Sequence, residues 1–216
     1  LLKAFSQYYQ RLNINLETDD IIVTTSGSEA IFFAMLAVCD VGDELLVFEP
    51  FYANYEGIAT QTGIKMRAIR TFPENGFHLP SKETIEASIT SKTRGILICN
   101  PNNPTGTVYS KEELRNLAEI AEKHNIFLIS DEVYREFVYD GQEHTSVMTF
   151  DDYSDNLILV DSVSKRYSVC GARIGLIASR NKDVMKAVLK FAQARLCSPT
   201  VEQIGAKAGI EMDMSY

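Results

Sequence analysis

The chain has 216 residues, 45% hydrophobic and 23% charged, with a net charge of -8 and a pI near 5.0. The length is enough for one large domain with a sizeable buried core, and the acidic balance argues against nucleic acid as the main partner, since phosphate-backbone affinity needs a basic face. No run of eighteen uncharged apolar residues and no basic-then-apolar leader occurs, so a soluble, cytoplasmic protein with no membrane partner is expected.

The first twenty residues read as helical, and an apolar strand at Ile21–Thr24 follows. It runs into Thr-Thr-Ser-Gly-Ser-Glu-Ala and a helical pattern over 28–38. Free N–H groups at that helix start, with Gly27 allowing close approach and Ser28 supplying a hydroxyl, would cradle an anion. A plain serine N-cap is the competing reading and, for this motif alone, the commoner one. The second strand, 45–48, ends in Glu-Pro-Phe-Tyr, which sets Tyr52 either flat on a planar ligand or in packing. A helix over 55–62, a strand over 65–69 and a helix over 81–89 come next.

The strand at 95–99 ends in Asn-Pro-Asn-Asn-Pro-Thr-Gly. Each proline restrains itself and the residue before it, so two Asn-Pro steps point to an amide, Asn103, held in a fixed direction. A helix over 110–123 opens with Ser110 and Glu113 at capping-box spacing, and Leu114, Leu117, Ala118 and Ala121 repeat at helical intervals. The strand at 126–130 leads to Asp131, which is either a helix cap or a carboxylate at the edge of a buried region that needs a cationic partner. Tyr134 stands close enough in sequence to reach the same place.

A strand over 157–161 leads into Ser-Val-Ser-Lys-Arg-Tyr-Ser-Val-Cys-Gly-Ala-Arg-Ile-Gly. A lone lysine is ordinarily a solvated surface residue. Lys165, however, follows a buried strand at the sheet edge shared with Asn103 and Asp131, where burial or neighbouring positive charge can make an amine nucleophile. A strand over 174–178, a helix over 182–194 and a helical stretch after Ser198 complete the pattern.

Continuous apolar runs predict strands buried on both faces. Their alternation with helices predicts a three-layer α/β/α sandwich with a mainly parallel seven-stranded sheet, whose ligands sit at the strands' carboxyl ends. The expected organisation is an N-terminal helical segment (1–20), one domain (21–197) and the start of a helix (198–216). The four cysteines show no CxxC pair and are expected to be buried, reduced thiols, with no metal site. A nucleophilic amine, an aspartate, an oriented amide and phenol, an aromatic face and an anion cradle together suit pyridoxal 5'-phosphate, with its aldehyde, ring nitrogen, phenolic oxygen and phosphate.

In these motifs, Ser-Gly-Ser-Glu-Ala, Asn-Pro-Asn-Asn-Pro-Thr-Gly, Ser-Asp-Glu-Val-Tyr and Ser-Val-Ser-Lys followed by Gly-Ala-Arg-Ile-Gly, the chain resembles the large domain of the class I and II aminotransferases, the aspartate aminotransferase-like, fold-type I pyridoxal-phosphate enzymes. The likeness runs from about Ile21 to Ser179, and it implies that 21–197 form a cofactor-binding large domain and 198–216 the lead into a C-terminal small domain outside this chain. It implies that Lys165 forms a Schiff base with the cofactor and then acts as general base and acid, while Asp131 pairs with the pyridine nitrogen. Asn103 and Tyr134 would bond the phenolic oxygen, Tyr52 would stack on the ring, and Gly27, Ser28, Ser162 and Arg173 would bind the phosphate.

Arg166 is expected to be a solvated bystander, Ser164 structural, and Gly171 and Gly175 the points where the chain turns back. The implied activity is amino-group transfer between an L-amino acid and a 2-oxo acid, in a homodimer. The family's arginine for the substrate α-carboxylate has no match here: Arg180 comes too early and Arg195 falls by the last predicted helix. The chain alone is therefore expected to be weakly active or inactive. A lyase on the same scaffold, such as a carbon–sulfur lyase, and a non-enzymatic sensor domain are the alternatives.

Overall fold

The computed structural model describes residues 1–212. Its helices are α1 (Leu2–Arg11), α2 (Ser26–Val38), α3 (Asn54–Thr62), α4 (Lys82–Ala87), α5 (Lys111–Lys123), α6 (Val163–Arg166), α7 (Lys182–Arg195) and α8 (Thr200–Ile210). Between them run β1 (Ile21–Thr24), β2 (Glu44–Glu49), β3 (Lys65–Arg70), β4 (Thr93–Cys99), β5 (Phe127–Asp131), β6 (Leu157–Ser162) and β7 (Gly175–Ala178). Each expected strand is present, its ends within two residues of those anticipated. The last four residues of the expected C-terminal segment, 213–216, lie outside the described residues.

The strands form one seven-stranded sheet in the order β1-β7-β6-β5-β4-β2-β3. β2 through β6 pair in parallel with their neighbours in that group, whereas β7 is antiparallel to both β1 and β6. Helices cover both faces, so the sheet has two cores, and strand alternation divides the side chains between them. Ile96, Ile98, Leu128, Leu157 and Leu159 face α1 and α5; Leu97, Cys99, Ile129, Ile158 and Val160 face α2, α3 and α7.

The capping box that opens α5 is formed. Ser110 Oγ accepts from the Glu113 backbone N–H at 3.2 Å and Glu113 Oε2 accepts from that of Ser110 at 2.8 Å. Behind it Leu114, Leu117, Ala118, Ile120 and Ala121 are fully buried on one stripe.

Two expectations need correction. β3 is not buried on both faces: Lys65, Arg67, Ala68 and Arg70 are exposed, because it is an edge strand paired only with β2, and charge on an edge deters further pairing. All four cysteines are free, but only Cys39 and Cys99 are buried; Cys170, which opens a short 3-10 turn before β7, and Cys197, in the connection after α7, are exposed. Among the described residues no helix is long and apolar enough to cross a membrane.

Candidate active site

The carboxyl ends of the parallel strands β4, β5 and β6 meet the start of α2 and the loop before β7. There all nine residues singled out in the sequence, Gly27, Ser28, Tyr52, Asn103, Asp131, Tyr134, Ser162, Lys165 and Arg173, line one cavity of about 230 Å³. Asp131 ends β5 and Ser162 ends β6, both on the α2 side of the sheet, in line with Ile129 and Val160.

The end of the cavity beside α2 depends on a close approach. A Cβ on Gly175 would lie 2.5 Å from Ser26 C and 2.7 Å from Gly27 N, so only glycine lets β7 pass beneath the first turn of α2. Arg173, at φ 53, turns back over that helix start, and its Nη2 donates to Ser26 Oγ at 2.6 Å while Nη1 donates to the Cys170 carbonyl at 3.0 Å. The left-handed residue that turns the chain is thus Arg173 and not Gly171, whose φ is not positive.

Ser28 is not a helix cap. α2 begins at Ser26, the Thr25 N–H is satisfied by Glu29 Oε2 at 2.7 Å, and Ser28 stands inside the first turn with its hydroxyl beside the cavity. Ser162 caps α6, accepting from the Ser164 N–H at 3.1 Å, and lies 2.7 Å from Ser164 Oγ and 2.9 Å from the Ile174 carbonyl.

Asp131 is wholly buried and carries a carboxyl pushed up to about 6, chiefly by burial. Tyr55, donating to Oδ2 at 2.8 Å, and the Val133 N–H, donating to Oδ1 at 3.3 Å, pull in the other direction. The Tyr55 phenol is in turn raised well above its usual range by burial and by Asp131 itself. Asn103 Nδ2 lies 3.5 Å from the Tyr134 hydroxyl, and Lys165 Nζ is 5.8 Å from the centroid of the Tyr134 ring. The Tyr52 ring meets Tyr55 edge-on at 5.5 Å, leaving it 39% exposed at the mouth.

Sequence reasoning placed Ser26 at the helix start without a role of its own, missed Tyr55, Cys99, Val133 and Cys170, and assigned Ser164 no place at the cavity that it lines. Tyr55 had a signal, since it follows Tyr52 by one helical turn and a buried carboxylate needs a donor. The reading of Arg166 as a solvated bystander is overturned. Its side chain is 5% exposed, and its Nη2 donates to Asp161 Oδ2 at 2.7 Å. The cause is alternation: Asp161 points away from the cavity, and a buried carboxylate there draws Arg166 after it. Arg180 and Arg195 are spent on partners within the chain, Arg180 on Asp151 and Arg195 on Glu29 and the Val23 carbonyl.

The sequence profile described as Aminotransferase class I and II matches residues 1–214. The chain belongs to that family. An aspartate aminotransferase of Thermotoga maritima is 36% identical over 208 residues, which make up 96% of this chain and 54% of that protein. A probable aspartate aminotransferase of Methanocaldococcus jannaschii is 36% identical over 92% of the chain and 52% of its own length. Among solved structures, the Thermotoga maritima aspartate aminotransferase superposes with a TM-score of 0.92 at 34% identity, covering 100% of this chain and 57% of that one. An alanine aminotransferase of Pyrococcus furiosus gives 0.91 at 34% identity over 100% and 56%. This aminotransferase-family chain thus spans about half the length of the relatives it matches.

Proposed function

We propose that the cavity binds pyridoxal 5'-phosphate and that the chain is the cofactor-binding part of an aminotransferase acting on an L-amino acid and a 2-oxo acid. One observation carries this reading: an amine, a buried carboxyl, an amide–phenol pair and an arginine-flanked helix start share one cavity in which they do not neutralise one another. The residues fit the cofactor. Asp131, buried and without a cationic partner among the described residues, suits a protonated ring nitrogen, and the start of α2 beside Arg173 suits a phosphate dianion.

Bound there, the cofactor would supply an electron-accepting ring. Lys165 Nζ would hold it covalently at rest and, once freed, would be the base placed to move a proton at the substrate Cα. Asp131 keeps a proton on the ring nitrogen, and Asn103 Nδ2 and the Tyr134 hydroxyl orient the phenolic oxygen. Tyr52 covers the open face of the ring. Gly27, Ser28, Ser162 and Arg173 hold the phosphate, with the planar guanidinium able to give two charge-assisted bonds. The names of the relatives favour transfer over elimination or a sensor role, and they span aspartate and alanine, so the substrate side chain stays open. A dimeric, cytoplasmic whole protein completes the proposal.

Adding pyridoxal phosphate should produce a visible absorption band that borohydride bleaches, and peptide mass mapping should find the reduced adduct on Lys165. An adduct that persists elsewhere in Lys165→Ala removes the assignment.

A further inference from the structure

We propose that Tyr8 and Tyr9 of α1, together with Arg135, Arg166 and their carboxylates, form a positioning network that fixes Lys165 and Asp131 from the sheet face opposite the cavity. The proposal rests on the cofactor reading above. Four proposed cofactor contacts have a chain neighbour in this network: Asp131 is followed by Glu132, Tyr134 by Arg135 and Lys165 by Arg166, and Ser162 is preceded by Asp161. Asp131 and Ser162 end strands, so alternation sends Glu132 and Asp161 to the opposite side, where Arg135 from the turn after β5 and Arg166 from α6 meet them.

The contacts behind the sheet are dense, and all but those to the exposed Glu136 are buried. Tyr9 donates to Asp161 Oδ2 at 2.7 Å, the oxygen that also accepts from Arg166 Nη2 at 2.7 Å. Asp161 Oδ1 accepts the Ser162 N–H at 2.7 Å. Tyr8 donates to Glu136, and Arg166 Nε lies 3.2 Å from Glu136 Oε1, near enough for an ion pair though not aligned as a hydrogen bond. The Arg166 guanidinium sits 4.2 Å from the centre of the Tyr8 ring and that of Arg135 4.9 Å from the Tyr9 ring. Arg135 pairs with Glu132, which also accepts from Ser146 Oγ and the Val147 N–H, both at 3.0 Å. One edge-on tyrosine pair, 5.2 Å between centroids, therefore bridges the β5 and β6 halves of the site.

Stability alone does not account for such an arrangement. Buried ion pairs roughly offset their own desolvation, and apolar replacements of similar volume often do as well or better. What they add is a fixed geometry. Lys165 needs it, because α6 is a single turn of four residues and too short to hold a direction by its own hydrogen bonds. Arg166, the last residue of α6, is held by Asp161 from β6 and by Glu136 from the segment after β5. Tyr8, Tyr9, Arg135 and Arg166 are thus positioning residues that touch no reacting atom.

The test uses the pyridoxal-phosphate-loaded protein and reads two quantities: the cofactor dissociation constant by spectral titration, and the circular dichroism of the visible band per bound cofactor, which reports ring orientation. Arg166→Met should weaken retention about tenfold, the lower end of what outer-shell partners of metal ligands contribute, and reduce the dichroism. Tyr9→Phe should move both in the same direction by less. Ile120→Val, a core change on the same side of the sheet but outside the network, should lower melting temperature and leave both readings unchanged. If Arg166→Met does not fold, Arg166→Met with Asp161→Asn removes both charges together and carries the same expectation. Unchanged readings in the network variants, or equal changes in Ile120→Val, overturn the network while the cofactor reading stands. A protein that forms no band at all overturns both.

Discussion

Asp131 shows how one side chain can be both costly and useful. Its carboxyl is raised from 3.8 to about 6 mainly because ionising it means leaving charge in a closed site. The folded state therefore binds a proton more tightly than the unfolded one, so this group stabilises the protein at low pH and loses that contribution as pH rises through about 4 to 6. The change is about 3 kcal/mol at most, from roughly two pK units at 1.36 kcal/mol each. Urea melts of the cofactor-free protein across that range should show a falling component that is absent in Asp131→Asn. A cationic ring nitrogen beside the carboxylate would reverse the sign, which ties the same residue to cofactor binding. Gly175 is a second case. Gly175→Ala drives a methyl into backbone at 2.5 Å, and should destabilise the fold by about 1–3 kcal/mol, as overpacking does, while weakening phosphate retention.

Among the elements, α5 was the most legible, because Ser110, Glu113 and the apolar stripe agree with one another at three levels. Leu117→Ala should cost about 2–5 kcal/mol in chemical denaturation, since Leu117 is fully buried. No loss of pyridoxal phosphate orientation should accompany it, because Leu117 neither lines the cavity nor belongs to the Tyr8, Tyr9, Arg135 and Arg166 network. The start of α2 was harder. Serine at a helix start ordinarily signals a cap, and nothing local reveals that the first turn of α2 has no side-chain cap and leaves Ser28 facing the cavity. β3 misled for a similar reason: its composition suits a strand, but its rank in the sheet is set by what lies beyond it.

For the whole molecule, the share of each relative that is covered decides what to expect of the 216 residues by themselves. They contain a cavity lined by all nine residues singled out in the sequence, while both arginines weighed for the substrate carboxylate are paired within the chain. Expressed alone, they should bind pyridoxal phosphate yet transaminate far more slowly than a full-length relative. A coupled assay with an amino acid and a 2-oxo acid measures this, and rates equal to a relative's would refute it. Saturation at a hundred times the dissociation constant should raise unfolding free energy by about 2.7 kcal/mol, visible as a higher melting temperature.

By itself the sequence determined the succession of strands and helices, because apolar periodicity and capping spacing are local properties of the chain; of the nine residues that share the cavity, polar placement after buried strands pointed to some, and the motifs shared with the family were needed for Ser162 and Arg173. Only the tertiary structure decided that β7 runs antiparallel between β1 and β6, that Tyr55 bonds Asp131, and that Arg166 is buried against Asp161 beneath α1. Each of these depends on which segments become neighbours in space. A charge such as that of Arg166 reads as solvated until the partner that repays its burial is in place.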